Sequence, residues 1–387
     1  MNIINNLTEL KEEYDFIIVG TGLAGATFAN LSTAGNKILM IDRRDHIAGN
    51  VYTERTHNVD VHMYGAHIFH TNDDFVWDYL NNFTDFNDYK HVVLSKSGEQ
   101  LFQMPFNNLT LMQVFGGRNF STVKQIIASE IESENLPNVL TNLEQQAISM
   151  VGRTVYERLI KGYTEKQWGR PCTELPPDII KRIPVRDNID NTYFNEAKYQ
   201  GIPTEGYTNM VEKMITHDNI DIILGLDFLT EIPYFESILS DNGKIVYTGA
   251  IDELFDYKYG ELEYRSLDLR HNTYCTDNHI GTSVINNVDK EIPWTRQIEH
   301  VHFNPRPTDY TTVTTEYPQE HIVGKTQPYY PIGQKHNNDL YEKYRVEAEK
   351  LNYVLLGRLA TYQYLDMDKV VRQVIEEICK EPIKKMI

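Results

Sequence analysis

The chain has only three cysteines, Cys172, Cys275 and Cys379. An odd, scattered set excludes a disulfide framework and a cysteine metal cage, and it fits a reducing cytoplasm. No apolar run approaches the length that spans a bilayer. The opening residues, MNIINNLTELKEE, lack the basic and apolar regions of a secretory signal, and residues 1–13 read as a polar leader without a task. Basic side chains are in deficit, 37 Lys and Arg against 55 Asp and Glu, a net charge of -18. A field of that sign repels nucleic acid and anionic membrane, so an anionic substrate would need arginines clustered locally. His67 and His70 stand three apart with no third ligand near them, so no metal site is expected.

What the chain does contain is concentrated in Tyr14 to Asn50. Phe16 to Val19 is a short apolar run suited to a buried parallel strand, and Lys37 to Ile41 is a second, ending on Asp42. Between them lie Gly20, Gly22 and Gly25 in G-x-G-x-x-G spacing and a small-residue helix, Ala24 to Ala34. Gly20 permits a tight turn, Gly22 lets a pyrophosphate reach the backbone, and Gly25 lets helix and strand pack closely. Free N–H groups at the helix start face the anion, and Asp42 falls where a ribose hydroxyl would donate. This is a dinucleotide-binding βαβ unit. Arg43 to Asn50 is a polar turn whose glycine, Gly49, follows the fingerprint and is expected to touch the same ligand.

At 387 residues the chain predicts two or three domains or lobes. A helix is expected from Phe75 to about Phe86, a hairpin from Val92 to Met104 turning at Ser97-Gly98, and a long helical region from Thr110 to Ile160. Lys161 to Pro177, with three prolines and two glycines around Tyr163 and Trp168, predicts an irregular aromatic loop. Arg182 and Arg186, four apart, offer a phosphate clamp against a plain surface pair. Gln200 to Met210 reads as a turn before a helix at Val211 to Ile215. Strands at Ile220 to Leu224 and Gly243 to Gly249, the latter continued by Ala250 to Asp252, are expected to return to the first sheet. Tyr257 to Leu269, Thr282 to Asn286 and His300 to Phe303 predict a separate antiparallel sheet, with Arg296 on a turn between strands. Near the C-terminus, a strand at Asn352 to Leu356, the turn Gly357-Arg358 and a helix from about Asp368 would suit a flavin ring, the positive helix end facing its reduced form. Among 22 glycines only Gly20 and Gly22 stand in G-x-G spacing, so no second nicotinamide fold is available to reduce a flavin. Electrons then enter by another route, or the flavin performs no net redox chemistry.

Ten segments together resemble the bacterial UDP-galactopyranose mutase family, in order and over nearly the whole chain from Tyr14. They include Gly20 to Gly25, His46 to Asn50, Tyr64 to Thr71, Pro105 to Asn107, Gly162 to Trp168 and Arg182 to Arg186. Tyr264 to Leu267, Thr295-Arg296, Pro328 to Pro331 and the run from Gly357-Arg358-Leu359 to Tyr364-Leu365-Asp366-Met367 complete the set. The resemblance implies an α/β fold: a discontinuous Rossmann-like FAD-binding domain (14–90, 205–255 and 340–387), an inserted helical lobe (107–180) and a mainly antiparallel sheet domain (91–106, 181–204 and 256–339). It implies reversible conversion of UDP-galactopyranose to UDP-galactofuranose, with reduced flavin N5 as nucleophile at the anomeric carbon and no net redox change. It further implies a cytoplasmic homodimer that supplies galactofuranose for cell-surface glycans.

By motif position, the resemblance assigns Arg182 and Arg296 to the diphosphate and the departing UDP, and His67 to contact with the flavin. Tyr163 would stack on uracil beside Thr164, and Trp168 would ride a mobile loop at about 165–185. Tyr193, Tyr330, Tyr364 and Asp366 would line the diphosphate and sugar site. The cofactor set is Gly20, Gly22, Leu23, Gly25, Asp42, Arg43, Asn50, His67, Ile68, Gly357, Arg358, Tyr364, Asp366 and Met367, with no metal. Ala48, Leu356 and Gln327 depart from the family's usual glycine, glycine and glutamate, while Ala66 is an accepted alternative to proline. Three other readings stay open: a flavin amine oxidase or dehydrogenase, a mutase preferring UDP-N-acetylgalactosamine, and a non-catalytic nucleotide-sugar binder.

Overall fold

A computed structural model describes residues 2–181 and 183–380 of the chain, so Arg182 lies outside the described residues. The fingerprint folds as its composition requires. Strand Tyr14–Val19 and strand Ile38–Asp42 pair in parallel, and helix Leu23–Leu31 crosses between them. All five residues of Ile38–Asp42 are buried, which explains an apolar run without alternation. The chain returns twice: Ile220–Leu224 pairs with Ile38–Asp42, and Leu239–Tyr247 pairs with Tyr14–Val19. Val354–Leu355 closes one edge of this six-stranded parallel sheet, and Asn2–Ile4 closes the other. The leader therefore has a task. Asn2, Lys11 and Tyr14 all bond the buried Asp221 carboxylate, fixing the edge strand on the sheet. The C-terminal helix Met367–Lys380 and helix Gly206–Ile215 pack on Leu23–Leu31.

A second sheet of seven strands runs in the order Tyr330–Pro331, Tyr264–Tyr274, Thr311–Glu320, Arg296–Glu299, Val284–Asn287, Val93–Ser97 and Gln100–Met104. Its pairings are antiparallel except Val284–Asn287 with Val93–Ser97. The expected sheet is present, but three details differ. His300 to Phe303 is not a strand; His300–His302 is a 3-10 turn, because the strand ends where Glu299 accepts the amides of His279, Ile280 and Gly281. Arg296 opens a strand rather than occupying a turn. The strand Thr311–Glu320 was not expected at all: TTVTTEYPQE lacks hydrophobic alternation, and its signal is β-branched threonine.

Three helices, Asn108–Val114, Phe120–Ser133 and Leu143–Val155, form the inserted lobe and continue through a π turn, Tyr156–Lys161, into helix Gly162–Trp168. Lys161 to Pro177 is thus not irregular throughout. Its prolines all follow Gly169, whose left-handed φ of 66° stops the helix, so Tyr163 and Trp168 sit on a regular turn. Two boundaries also move. Ala250 to Asp252 does not extend the preceding strand; helix Ile251–Leu254 starts there, with Asp252 and Glu253 in its first turn. Gln200 to Met210 overlaps the end of strand Tyr199–Gly201, paired with Phe69–Thr71, and the start of a helix that begins at Gly206.

Candidate functional site

The glycine fingerprint forms a cradle that side chains would fill. A Cβ on Gly25 would lie 2.0 Å from the Gly20 carbonyl oxygen, so helix and turn touch only because Gly25 has none. A Cβ on Gly49 would lie 2.8 Å from Gly22 Cα, bringing that glycine against the first loop. Gly22 caps helix Leu23–Leu31 without any side-chain hydrogen bond, which leaves the amides of its first turn for an anion. Ala48 holds the left-handed φ of 73° that explains why glycine is usual there. The Asp42 carboxylate accepts from Thr21 N at 2.8 Å, Thr21 Oγ1 at 2.6 Å and Arg44 N at 3.0 Å. That leaves one of its roughly four lone-pair positions for a ribose hydroxyl. Gly20, Asp42 and Arg43 line one small cavity, where Arg43 pairs with Glu253 at 2.8 Å. These features fit a dinucleotide.

A larger cavity of about 460 Å³ lies between the parallel sheet, the antiparallel sheet and helix Gly162–Trp168. On the parallel-sheet side its walls include Asn50, His67, Ile68, Arg358 and Met367. Tyr163, Thr164 and Trp168 enter from the helix, and Tyr193, Arg296, Tyr330, Tyr364 and Asp366 join them, so of the predicted substrate set only Arg182, outside the described residues, is not placed here. Leu23, Gly22, Gly25 and Gly357 stand apart from this cavity in the backbone cradle, where Gly357 takes a φ of 79° and donates its N–H to Gln373. An open cleft of about 1000 Å³ shares His70, Tyr193, Phe194 and Asp366 with the cavity and leads outward.

Arg296 is the cavity's central cation. Its Nη2 donates to Tyr163 Oη at 3.1 Å and its Nε to Asn286 Oδ1 at 3.2 Å, with Glu316 Oε2 at 3.8 Å. Burial opposes its charge, but Tyr163 and Glu316 beside it raise its pKa above the ordinary value. Glu316 faces Arg296 directly across the strand pair; burial raises its pKa and Arg296 only partly offsets that. Arg358 lies over the rings of Tyr364 and Tyr330, 4.8 and 5.5 Å from their centroids, and donates to Leu365 O. His67 donates Nδ1–H to Gly65 O at 2.7 Å, since a carbonyl can only accept. Burial lowers its pKa to about 4, so the ring is neutral and Nε2 is an acceptor.

Arg186 is not half of a clamp. Its guanidinium is buried against Asp190 O, Tyr193 O and Asn195 Oδ1, so it shapes the segment that carries Tyr193. Glu316, Asn286 and His91 also line the cavity and had no sequence signal as site residues, while Gln167 lines it from within the Gly162 to Trp168 motif without having been assigned a role. Glu316 was hidden by its polar strand, although its register opposite Arg296 follows once both strands are paired.

Comparison with known proteins gives one family. The family model described as UDP-galactopyranose mutase matches residues 158–364, and one for an NAD(P)-binding Rossmann-like domain matches residues 18–83. A probable UDP-galactopyranose mutase of Klebsiella pneumoniae is 38% identical, covering 94% of this chain and 93% of the relative. A dTDP-fucopyranose mutase of Escherichia coli is 36% identical over 93% of this chain and 96% of the relative. A crystal structure of reduced UDP-galactopyranose mutase shares the fold, with a TM-score of 0.74 at 13% identity over 94% of this chain and 93% of that one. A putrescine oxidase variant shares it more loosely, at a TM-score of 0.52 and 11% identity, covering 95% of this chain and 98% of that one. Matched over more than half its length by the family model and over nearly all of it by relatives above 30% identity, the chain belongs to the UDP-galactopyranose mutase family.

Proposed function

We propose that the chain interconverts UDP-galactopyranose and UDP-galactofuranose in the cytoplasm, as a homodimer holding reduced FAD, and so supplies galactofuranose for cell-surface glycans. The observation that carries the reading is one half-buried arginine, Arg296, tied to Tyr163 in an aromatic cavity whose opposite wall is His67 and Arg358. The parallel-sheet segments (14–90, 205–255 and 340–387) hold the cofactor in this reading. The helical lobe (107–180) and the antiparallel segments (91–106, 181–204 and 256–339) hold the nucleotide sugar.

Reduced flavin, when bound, supplies a nucleophilic nitrogen and takes back its electron pair, so the reaction needs no second redox partner. The chain's own groups do the rest. Arg296, with Arg182 by sequence position, holds the diphosphate and stabilises its charge as UDP departs from the anomeric carbon. Tyr163 and Thr164 bind the uridine side, while Tyr193, Tyr330, Tyr364 and Asp366 fix the diphosphate and sugar. Neutral His67 accepts a hydrogen bond at Nε2 and holds no charge against the cofactor. Trp168, at the end of helix Gly162–Trp168, covers one side of the cavity and excludes water.

Relatives at 38% and 36% identity carry different sugar and nucleotide names, so the substrate panel is the test. Dithionite-reduced protein is incubated with UDP-galactofuranose, its N-acetylamino analogue and dTDP-fucofuranose, and products are separated by chromatography. Preferred conversion of UDP-galactofuranose supports the reading. Conversion of only one of the other two moves the substrate, and conversion of none, with flavin bound, defeats it.

A further inference from the structure

The cavity's two substrate-facing parts, helix Gly162–Trp168 and Arg296, come from different regions and are joined behind the cavity by Lys166, with a longer ion pair between Glu165 and Lys290 at 3.9 Å beside it. Lys166 Nζ donates to four backbone oxygens of the 287–294 connection: Asn287 at 2.9 Å, Asp289 at 2.8 Å, Ile292 at 3.0 Å and Trp294 at 3.1 Å. Three protons serve four acceptors, so the ammonium sits in a carbonyl cage of the kind that otherwise holds a bare monovalent cation. Burial lowers its pKa to about 8, with Asp289 and Glu291 opposing, so it is charged at neutral pH.

The packing around it is equally close. One turn earlier on the same helix face, a Cβ on Gly162 would lie 2.1 Å from Val288 O. At the helix end, Arg265 Nε donates to Gln167 O at 2.9 Å, capping the C-terminus against the antiparallel sheet. The other helix face carries Tyr163, Thr164, Gln167 and Trp168 into the cavity. The connection caged by Lys166 leads straight into Arg296, and Asn286 at its base accepts from Arg296 Nε.

We propose that Lys166 is a positioning residue: its ammonium gathers the carbonyls of the 287–294 connection and so sets the distance between Tyr163 and Arg296 at which a nucleoside diphosphate is bound. Without the charge, four converging carbonyl dipoles repel one another and hydrate, and the connection moves off the helix. This rests on the nucleotide-sugar reading of the cavity.

The test is UDP binding to flavin-loaded protein in sodium buffer, for wild type and Lys166→Ala, with potassium or methylammonium then added. Thermal midpoint and flavin spectrum are measured alongside. UDP affinity of Lys166→Ala is expected to fall about tenfold with flavin retained. Potassium or methylammonium should restore it by refilling the cage, and tetramethylammonium, too large, should not. Wild-type affinity in Lys166→Ala overturns the proposal, as does a loss that neither small cation repairs, since stem packing would then be the cause. Should Lys166→Ala lose flavin, Gly162→Ala decides: it pushes the helix off Val288 O with Lys166 present, so weakened UDP binding supports the proposal and unchanged binding overturns it. Failure of wild-type protein to bind UDP would instead defeat the functional reading.

Discussion

In the proposed reaction Arg296 is the residue at the departing diphosphate, and its guanidinium is held by three different neighbours. Tyr163 and Asn286 use two of its nitrogens, and Glu316 sets the local charge without neutralising it in a close bidentate pair. A lysine would keep the charge and lose the fork. Arg296→Lys is expected to lower kcat/KM by about 100-fold, and steady-state kinetics with reduced enzyme reads it. Glu299 marks a purely structural counterpart on the same strand. Burial pushes its carboxyl up, yet His302 and the amides of His279 and Ile280 outweigh that and hold it at about 2. A folded-state value below the unfolded one contributes stability that is present above the ordinary carboxylate range, about 4.5, and is lost as pH falls toward 2. Glu299→Gln should therefore unfold more readily at neutral pH and show a flatter acid limb in pH-dependent melting.

At the scale of elements, what was legible and what was not divides on physical grounds. The βαβ unit was readable because sterics dictate it: a Cβ at Gly25 has no room, and a fully buried strand such as Ile38–Asp42 must be a continuous apolar run. Helix Gly162–Trp168 was obscured because proline and glycine density was averaged over a window, whereas a helix is stopped at one residue, Gly169. The strand bearing Glu316 was invisible to hydrophobic periodicity because buried threonines replace aliphatic residues. Ala48 shows the reverse, a departure visible in sequence whose meaning needs the backbone. An L-residue at a φ of 73° costs about 1 kcal/mol relative to glycine. Ala48→Gly is accordingly expected to raise the thermal midpoint slightly and leave kcat unchanged, which differential scanning calorimetry and a rate assay would check.

The whole molecule places its site where two sheets of different character meet. The parallel sheet offers strand ends and a helix start that fit a dinucleotide, and the antiparallel sheet brings Arg296 into the cavity whose other side carries His67 and Arg358. The discontinuity of the parallel sheet was legible, since its returning strands are short apolar runs far along the chain. Its outer edge was not. Asn2–Ile4 is too short to signal a strand and is fixed by the long-range partner Asp221. Removing residues 2–13 should lower the unfolding midpoint, because Asp221 stays buried without Lys11 and Asn2, while kcat and KM hold within about twofold. No helix among the described residues is long and apolar enough to cross a membrane.

In the proposed reaction a flavin serves ring contraction without net electron transfer. The most direct measurement of this is an anaerobic turnover count. The protein is reduced once with a stoichiometric amount of dithionite and then given excess UDP-galactofuranose, while flavin absorbance and UDP-galactopyranose are followed together. Many product molecules per flavin, with the spectrum still reduced, and none from the oxidised protein are expected. Flavin reoxidised in step with product, or conversion by the oxidised protein, would contradict the proposed reaction.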